Sequence, residues 1–110
     1  MNTPEMKTLA ESFGLTVIAA PKGLNNRILW TEDNRKHKSG KNVNIRGTST
    51  EKQYDGTYGF KFQIVGDFNA FGGISFDHIN VWRAATPEEA LNKAFKRLKN
   101  RLRKAYEIEF

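Results

Sequence analysis

Seven of the chain's 18 lysines and arginines fall within the twelve residues from Lys93 to Lys104: Lys93, Lys96, Arg97, Lys99, Arg101, Arg103 and Lys104. No acidic residue lies between Glu89 and Glu107. On a helix turning about 100° per residue, Lys93, Lys96, Arg97, Arg103 and Lys104 collect opposite an apolar stripe of Leu91, Phe95, Leu98 and Leu102. A helix face that only needs to be wet usually interleaves both signs, because an i,i+4 ion pair adds a few tenths of a kcal/mol and a like-charged pair subtracts as much. A ridge of one sign repels itself. The chemistry it suits is neutralisation of a polyanion, and phosphate backbone is the commonest one.

A second basic cluster, Arg35, Lys36, His37, Lys38 and Lys41, lies in the stretch from Glu32 to Asn42, which contains no apolar residue. That composition predicts an exposed, mobile loop, able to follow a phosphate backbone or to enter a groove. Either cluster alone would also serve as solvated surface. Together they take eleven cations, seven in the first and four in the second, which leaves seven cations against twelve acids elsewhere. The formal charge of +6 and the pI near 9.7 are therefore localised, and this asymmetry argues for a surface that faces a polyanion.

Aromatic residues concentrate in the middle of the chain. Tyr58, Phe60 and Phe62 alternate with Gly59, Lys61 and Gln63, which marks them as the buried face of a strand. Phe68 and Phe71 lie instead in Gly66–Gly73, a connecting stretch rich in Gly and Asn, where they suit stacking on unpaired bases or anchoring a protein partner.

Catalytic chemistry has little to work with. The chain has no cysteine, so disulfides, thiolate metal sites and cysteine nucleophiles are excluded. It has no Gly-x-Ser-x-Gly elbow, no phosphate-cradling Gly-x-x-x-x-Gly-Lys-Ser/Thr loop and no histidine pair at ligand spacing. Asp77 and His78 are strand neighbours that point to opposite faces, so they form no acid/base dyad. Asp55, Asp67 and Asp77 have no spacing that demands a divalent ion. The expectation is a protein that is not an enzyme and uses no cofactor or metal.

These residues need elements to hold them. Thr3-Pro4-Glu5 opens a helix over about residues 4–13, with Met6, Leu9, Ala10 and Phe13 as its apolar stripe and Gly14 as its stop. Leu15–Ala20 and Arg27–Thr31 form a hairpin around Lys22–Asn26. Val43, Ile45 and Gly47 give a weak third strand, Tyr58–Val65 a strong fourth, and Ile74–Arg83 a fifth. In the fifth strand the apolar alternation slips around Asp77-His78, which predicts either a bulge there or a strand covered on both faces near its end. Thr86-Pro87-Glu88-Glu89 opens a second helix over about 87–106, with Thr86 as N-cap, Pro87 at the first position and Glu89 reaching back; its apolar face extends to Ala105 and Tyr106.

The order α-β-β-β-β-β-α, joined by hairpin-length connections, predicts an α+β domain spanning 1–110. Its sheet is mostly antiparallel, of four to five strands, with both helices on one face. No apolar run is long enough to cross a membrane, and Met1–Glu5 carries no targeting signal, so a cytoplasmic setting is expected. The functional expectation is a small nucleic-acid-binding module, for DNA or RNA, that uses the basic second helix and the Arg35–Lys41 loop. The alternative is a phage- or mobile-element-encoded inhibitor or accessory protein, whose basic surface occupies an acidic or nucleic-acid-binding host protein or a nucleoprotein complex.

Overall fold

A computed structural model describes residues 3–24, 27–37, 40, 42–66 and 75–110, the side chains of Thr3, Ser75 and Phe76 aside. Helix α1 (Thr3–Ser12) is followed by β1 (Val17–Ile18), β2 (Trp30–Lys36), β3 (Asn42–Ser49), β4 (Tyr58–Gly66), β5 (Ser75–Ala84) and helix α2 (Pro87–Tyr106). The five strands form one antiparallel sheet in the order β1-β2-β3-β4-β5, so each strand pairs with its sequence neighbour. This is the α+β architecture expected from the hairpin-length connections.

Helix α1 ends as its sequence dictates. Gly14 takes a φ of +85°, and the Leu15 and Gly14 amides donate back to the carbonyls of Ala10 and Glu11. Met6 and Ala10 are buried, while Phe13 stacks on Phe95 of α2 with ring centroids 4.6 Å apart. Helix α2 opens with Thr86 Oγ1 accepting from the Glu89 amide at 3.1 Å. The Glu89 carboxylate in turn accepts from the Ala85 amide at 3.0 Å, one residue before the cap. At the other end Glu107 is left-handed, and the Glu107 and Ile108 amides both reach the Leu102 carbonyl.

The apolar stripe of α2 lies on β4 and β5, burying Ala90, Leu91, Ala94, Leu98 and Leu102 against Phe60, Phe62, Ile64, Ile79 and Val81. Ala105, expected on that stripe, is exposed, and Tyr106 is half-buried. Among the described residues no helix covers the opposite face of the sheet, which carries exposed Asn34, Arg46, Lys61, His78 and Asn80.

Two expectations need correction. The stretch from Glu32 to Asn42 is largely strand: β2 runs on to Lys36 and β3 begins at Asn42, with Arg35 opposite Val43. The helix-facing positions of β2 are Thr31, Asp33 and Arg35, so the strand has no apolar alternation to reveal it. Both oxygens of buried Asp33 accept from the Thr16 amide, and Arg35 lays its guanidinium over the Phe110 ring, 4.2 Å from its centroid. The second correction concerns β5. Its pairing with β4 is regular past Asp77 and His78, and the irregularity falls where Trp82 and Arg83 bulge out opposite Gly59, with Arg83 at φ +62°. Asp77 breaks the apolar alternation because it faces the helix layer as a carboxylate with partners there.

Gly47 lies between Thr31 and Phe62 in one register row. A Cβ at Gly47 would come within 2.6 Å of both the Phe62 ring and Thr31 Oγ1. Gly47→Ala is therefore expected to destabilise by about 1–3 kcal/mol through overpacking. Thr31→Val is expected to be neutral or stabilising, because the buried Thr31 hydroxyl has no hydrogen-bond partner among the described residues. Chemical denaturation of both variants checks the pair; a destabilised Thr31→Val would mean that the hydroxyl is satisfied.

Candidate nucleic-acid interface

The rotation of α2 is fixed by its buried stripe, so its other face is fixed as well. Lys93, Lys96, Arg97, Arg103 and Lys104 are all exposed, as helical phase requires. Lys93 pairs with Glu89 at 2.9 Å, and that contact, followed by the Ala85 amide, holds the Glu89 carboxyl below its ordinary range. Among the described residues, no carboxylate lies within 4.0 Å of Lys96, Arg97, Arg103 or Lys104. Lys99 turns to the other flank and lies over the Phe95 ring at 5.5 Å.

Where α2 passes β5 there is a polar groove of about 440 Å³, lined by His78, Asn80, Arg97, Asn100, Arg101 and Lys104. Strand β5 is the outer strand of the sheet, so this groove follows a sheet edge. Arg97 donates to the Asn80 carbonyl at 2.8 Å. One turn further along the helix, Arg101 donates to both oxygens of Asp77, at 2.7 and 2.6 Å, and the Tyr106 hydroxyl donates to Asp77 Oδ2 at 2.7 Å. Arg101 is thus neutralised, and the groove's net positive charge comes from Arg97 and Lys104, with Lys93, Lys96 and Arg103 beside it.

Partial burial works to raise the Asp77 carboxyl, but the hydrogen bonds from Arg101, Tyr106 and the His78 amide outweigh it and hold the group below its ordinary value. The same burial, then the bond to Asp77, pushes the Tyr106 phenol up to about 12. The cluster joins the start of β5 to the last turns of α2 and acts as a clamp.

The second basic cluster does not form one loop. Arg35 is half-buried against Phe110 and 3.9 Å from Asp33, whereas Lys36 is exposed at the end of β2. Lys38, Lys41, Phe68 and Phe71 lie outside the described residues, as does Asp67 of the three aspartates. Asp55 is bound to Thr57 and is 4.0 Å from Arg83, so it does not converge with Asp77. Among the described residues no three His, Asp or Glu side chains are grouped to hold a metal ion. On the other sheet face Arg46 pairs with Glu32 at 3.0 Å, and Lys61 is exposed there without a carboxylate within 4.0 Å among the described residues.

Sequence reading missed His78, Asn80, Asn100 and Asp77 as neighbours of the basic ridge. The signal available was parity: once Ile79 and Val81 are taken as the helix-facing side, His78 and Asn80 must turn outward.

No family model, curated protein or solved structure matches this chain.

Replacing Asp77 by Asn is expected to cost about 1–2 kcal/mol at pH 7, at the low end for charged hydrogen bonds because the site is partly open. A carboxyl lowered by folding stabilises the native state above its unfolded value, ordinarily 3.8, and that contribution disappears as pH falls through the native value. The wild type should therefore lose stability below about pH 4 more steeply than Asp77→Asn. At the alkaline end the raised Tyr106 phenol reverses the sign: its contribution is full below about pH 10 and is lost as pH rises towards 12. Urea denaturation across this range checks both limbs.

Proposed function

We propose that the protein binds nucleic acid through the exposed face of α2 and the groove between α2 and β5. The observation that carries this reading is the run Lys96, Arg97, Arg103 and Lys104, four exposed cations on one helix face with no carboxylate partner among the described residues. Some other exposed charges are paired, as with Arg46 and Glu32 or Arg101 and Asp77. Those that stand without a carboxylate within 4.0 Å among the described residues, such as Lys7, Lys22, Lys52 and Lys61, lie singly on separate segments instead of sharing one face. An unpaired row of one sign lowers helix stability slightly and raises the local potential, which a phosphate backbone exploits by releasing its condensed counterions. Asn80, Asn100 and His78 supply donors and acceptors beside the cations, as recognition of a sugar or base edge requires.

In this reading the protein contributes charge and position and catalyses nothing. The Arg35–Lys41 segment contributes less than its composition suggests, because Arg35 is committed to Phe110 and Asp33. Lys36 remains available at the hairpin end.

Titration of a labelled oligonucleotide at several salt concentrations tests the proposal. If about five to seven phosphates are neutralised, log K falls with log salt at a slope of roughly −4 to −6. The combined change of Lys96, Arg97, Arg103 and Lys104 to Glu should abolish binding and leave the melting temperature within a few degrees, since none of these side chains enters the core. A flat salt dependence, or a charge-reversed variant that binds as before, would reject the reading.

A further inference from the structure

Resting on that reading, we propose that the ligand is a single-stranded nucleic acid, its sugar-phosphate chain following the α2–β5 groove and its unpaired bases turned onto the sheet edge, with one base stacked on Trp82. Helix α2 runs back along β5, since Arg101 meets Asp77 and Arg97 meets Asn80. Continuing in that direction brings the turn of Lys93 level with the Trp82 end of the strand. A line of cations on the helix thus runs beside a line of side chains on the strand, His78, Asn80 and Trp82, with alternate residues about 6.6 Å apart. Two parallel lines of this kind match the two chemistries of a single strand: charge along the backbone, and flat, hydrogen-bonding bases along its side.

Trp82 is 59% exposed on a strand whose Ile79 and Val81 are buried. A large apolar side chain left in water further along the strand that walls a basic groove is positioned for a partner with a flat apolar face, and every base offers one. The backbone supports the display. Arg83 is one of two non-glycine residues with positive φ among those described, and the bulge it forms with Trp82 sets the strand's last residues out of the regular ladder. Bulges of this kind re-aim side chains next to sites. Tyr54, fully exposed on the β3–β4 connection, borders the same corner as Trp82. Asp55, the carboxylate in that corner, is 4.0 Å from Arg83 and accepts from Thr57, so its charge is partly offset.

A duplex fits this surface less well. Its bases are stacked on one another and present only edges in the grooves, so Trp82 would have no ring face to meet. A duplex would lie against the outer face of α2, at Lys96 and Arg103, and leave Asn80 and Trp82 unused.

Trp30 and Trp82 are the two tryptophans, and Trp30 is half-buried with its indole N–H donating to the Leu24 carbonyl. In a Trp30→Phe background, emission reports Trp82 alone. Oligothymidylate of about 12 nucleotides, a length within the usual range of single-strand sites, should quench that emission saturably and more weakly as salt rises. Trp82→Ala should weaken binding about tenfold or more, with an unchanged melting temperature, and Trp82→Phe should restore most of it. Equal affinity for a duplex of the same length, with Trp82 emission unmoved and Trp82→Ala binding as wild type, would overturn the single-strand inference and leave the basic-ridge reading standing. Failure of both oligonucleotides to bind at low salt would overturn both. Competition by polyglutamate as strong as by oligothymidylate would also overturn the inference, pointing to an acidic protein surface.

Discussion

The rest of the structure depends on the contact between the apolar stripe of α2 and the β4–β5 half of the sheet. Leu91, Leu98 and Leu102 are fully buried there, and each fully buried leucine contributes on the order of 2 kcal/mol relative to an exposed one. That burial fixes the rotation of the helix about its axis, and so decides which residues are left in water. The cations of α2 are exposed as the consequence of one hydrophobic choice. The Asp77 clamp adds what burial alone does not provide. Apolar contact is indifferent to small slides along the helix axis, whereas one guanidinium nitrogen of Arg101 donating to both Asp77 oxygens, with the Tyr106 hydroxyl donating to the same carboxylate, specifies one register of α2 against β5.

The elements that were legible in the sequence are those whose buried side chains follow one clean period. Helix α2 announces its start by Thr86, Pro87 and Glu89, and its core face by leucines at helical spacing. Strand β4 announces itself by Tyr58, Phe60, Phe62 and Ile64. Strand β2 is legible only at its start, where Trp30 and Thr31 pair with β1 as the expected Arg27–Thr31 hairpin strand requires; the rest is not, because its helix-facing side continues from Thr31 to Asp33 and Arg35. Asp33 and Arg35 are tolerated there because the Thr16 amide, the Phe110 ring and one another supply their partners, whereas the Thr31 hydroxyl is buried with none among the described residues. Such partners lie far away in sequence, and hydropathy holds no trace of them. The slip in β5 has the same origin: Asp77 occupies a core-facing position because Arg101 and Tyr106 wait for it across 24 and 29 residues.

The candidate site divides in the same way. Lys93, Lys96, Arg97, Arg103 and Lys104 could be assigned to one surface from helical phase alone, because they share one element. His78, Asn80 and Asn100 could not, since their relation to the cations depends on how α2 crosses β5. Arg35 illustrates the opposite error. Its neighbours in sequence are basic and polar, yet strand parity turns it towards the helix layer and onto Phe110. Cations close together in sequence share a surface only when the period of their element puts them on one face.

Both edges of the sheet bear on where a ligand can sit. An open edge is a template for pairing with another chain, and proteins blunt it by shortness, charge or a covering element. The β1 edge is blunted by length, being two residues long. The β5 edge is ten residues long and takes a different course. Arg97 occupies the Asn80 carbonyl, Arg101 holds Asp77, and the bulge at Trp82 and Arg83 interrupts the far end. Those features discourage a second β-strand, which would have to displace an arginine and bring its own backbone past a line of like charges. In the proposed reading a phosphate chain would meet no such obstacle, since Arg97 and Lys104 would be its partners. The edge of β5 is therefore guarded against strand pairing by side chains and a bulge, where the edge of β1 is guarded by shortness.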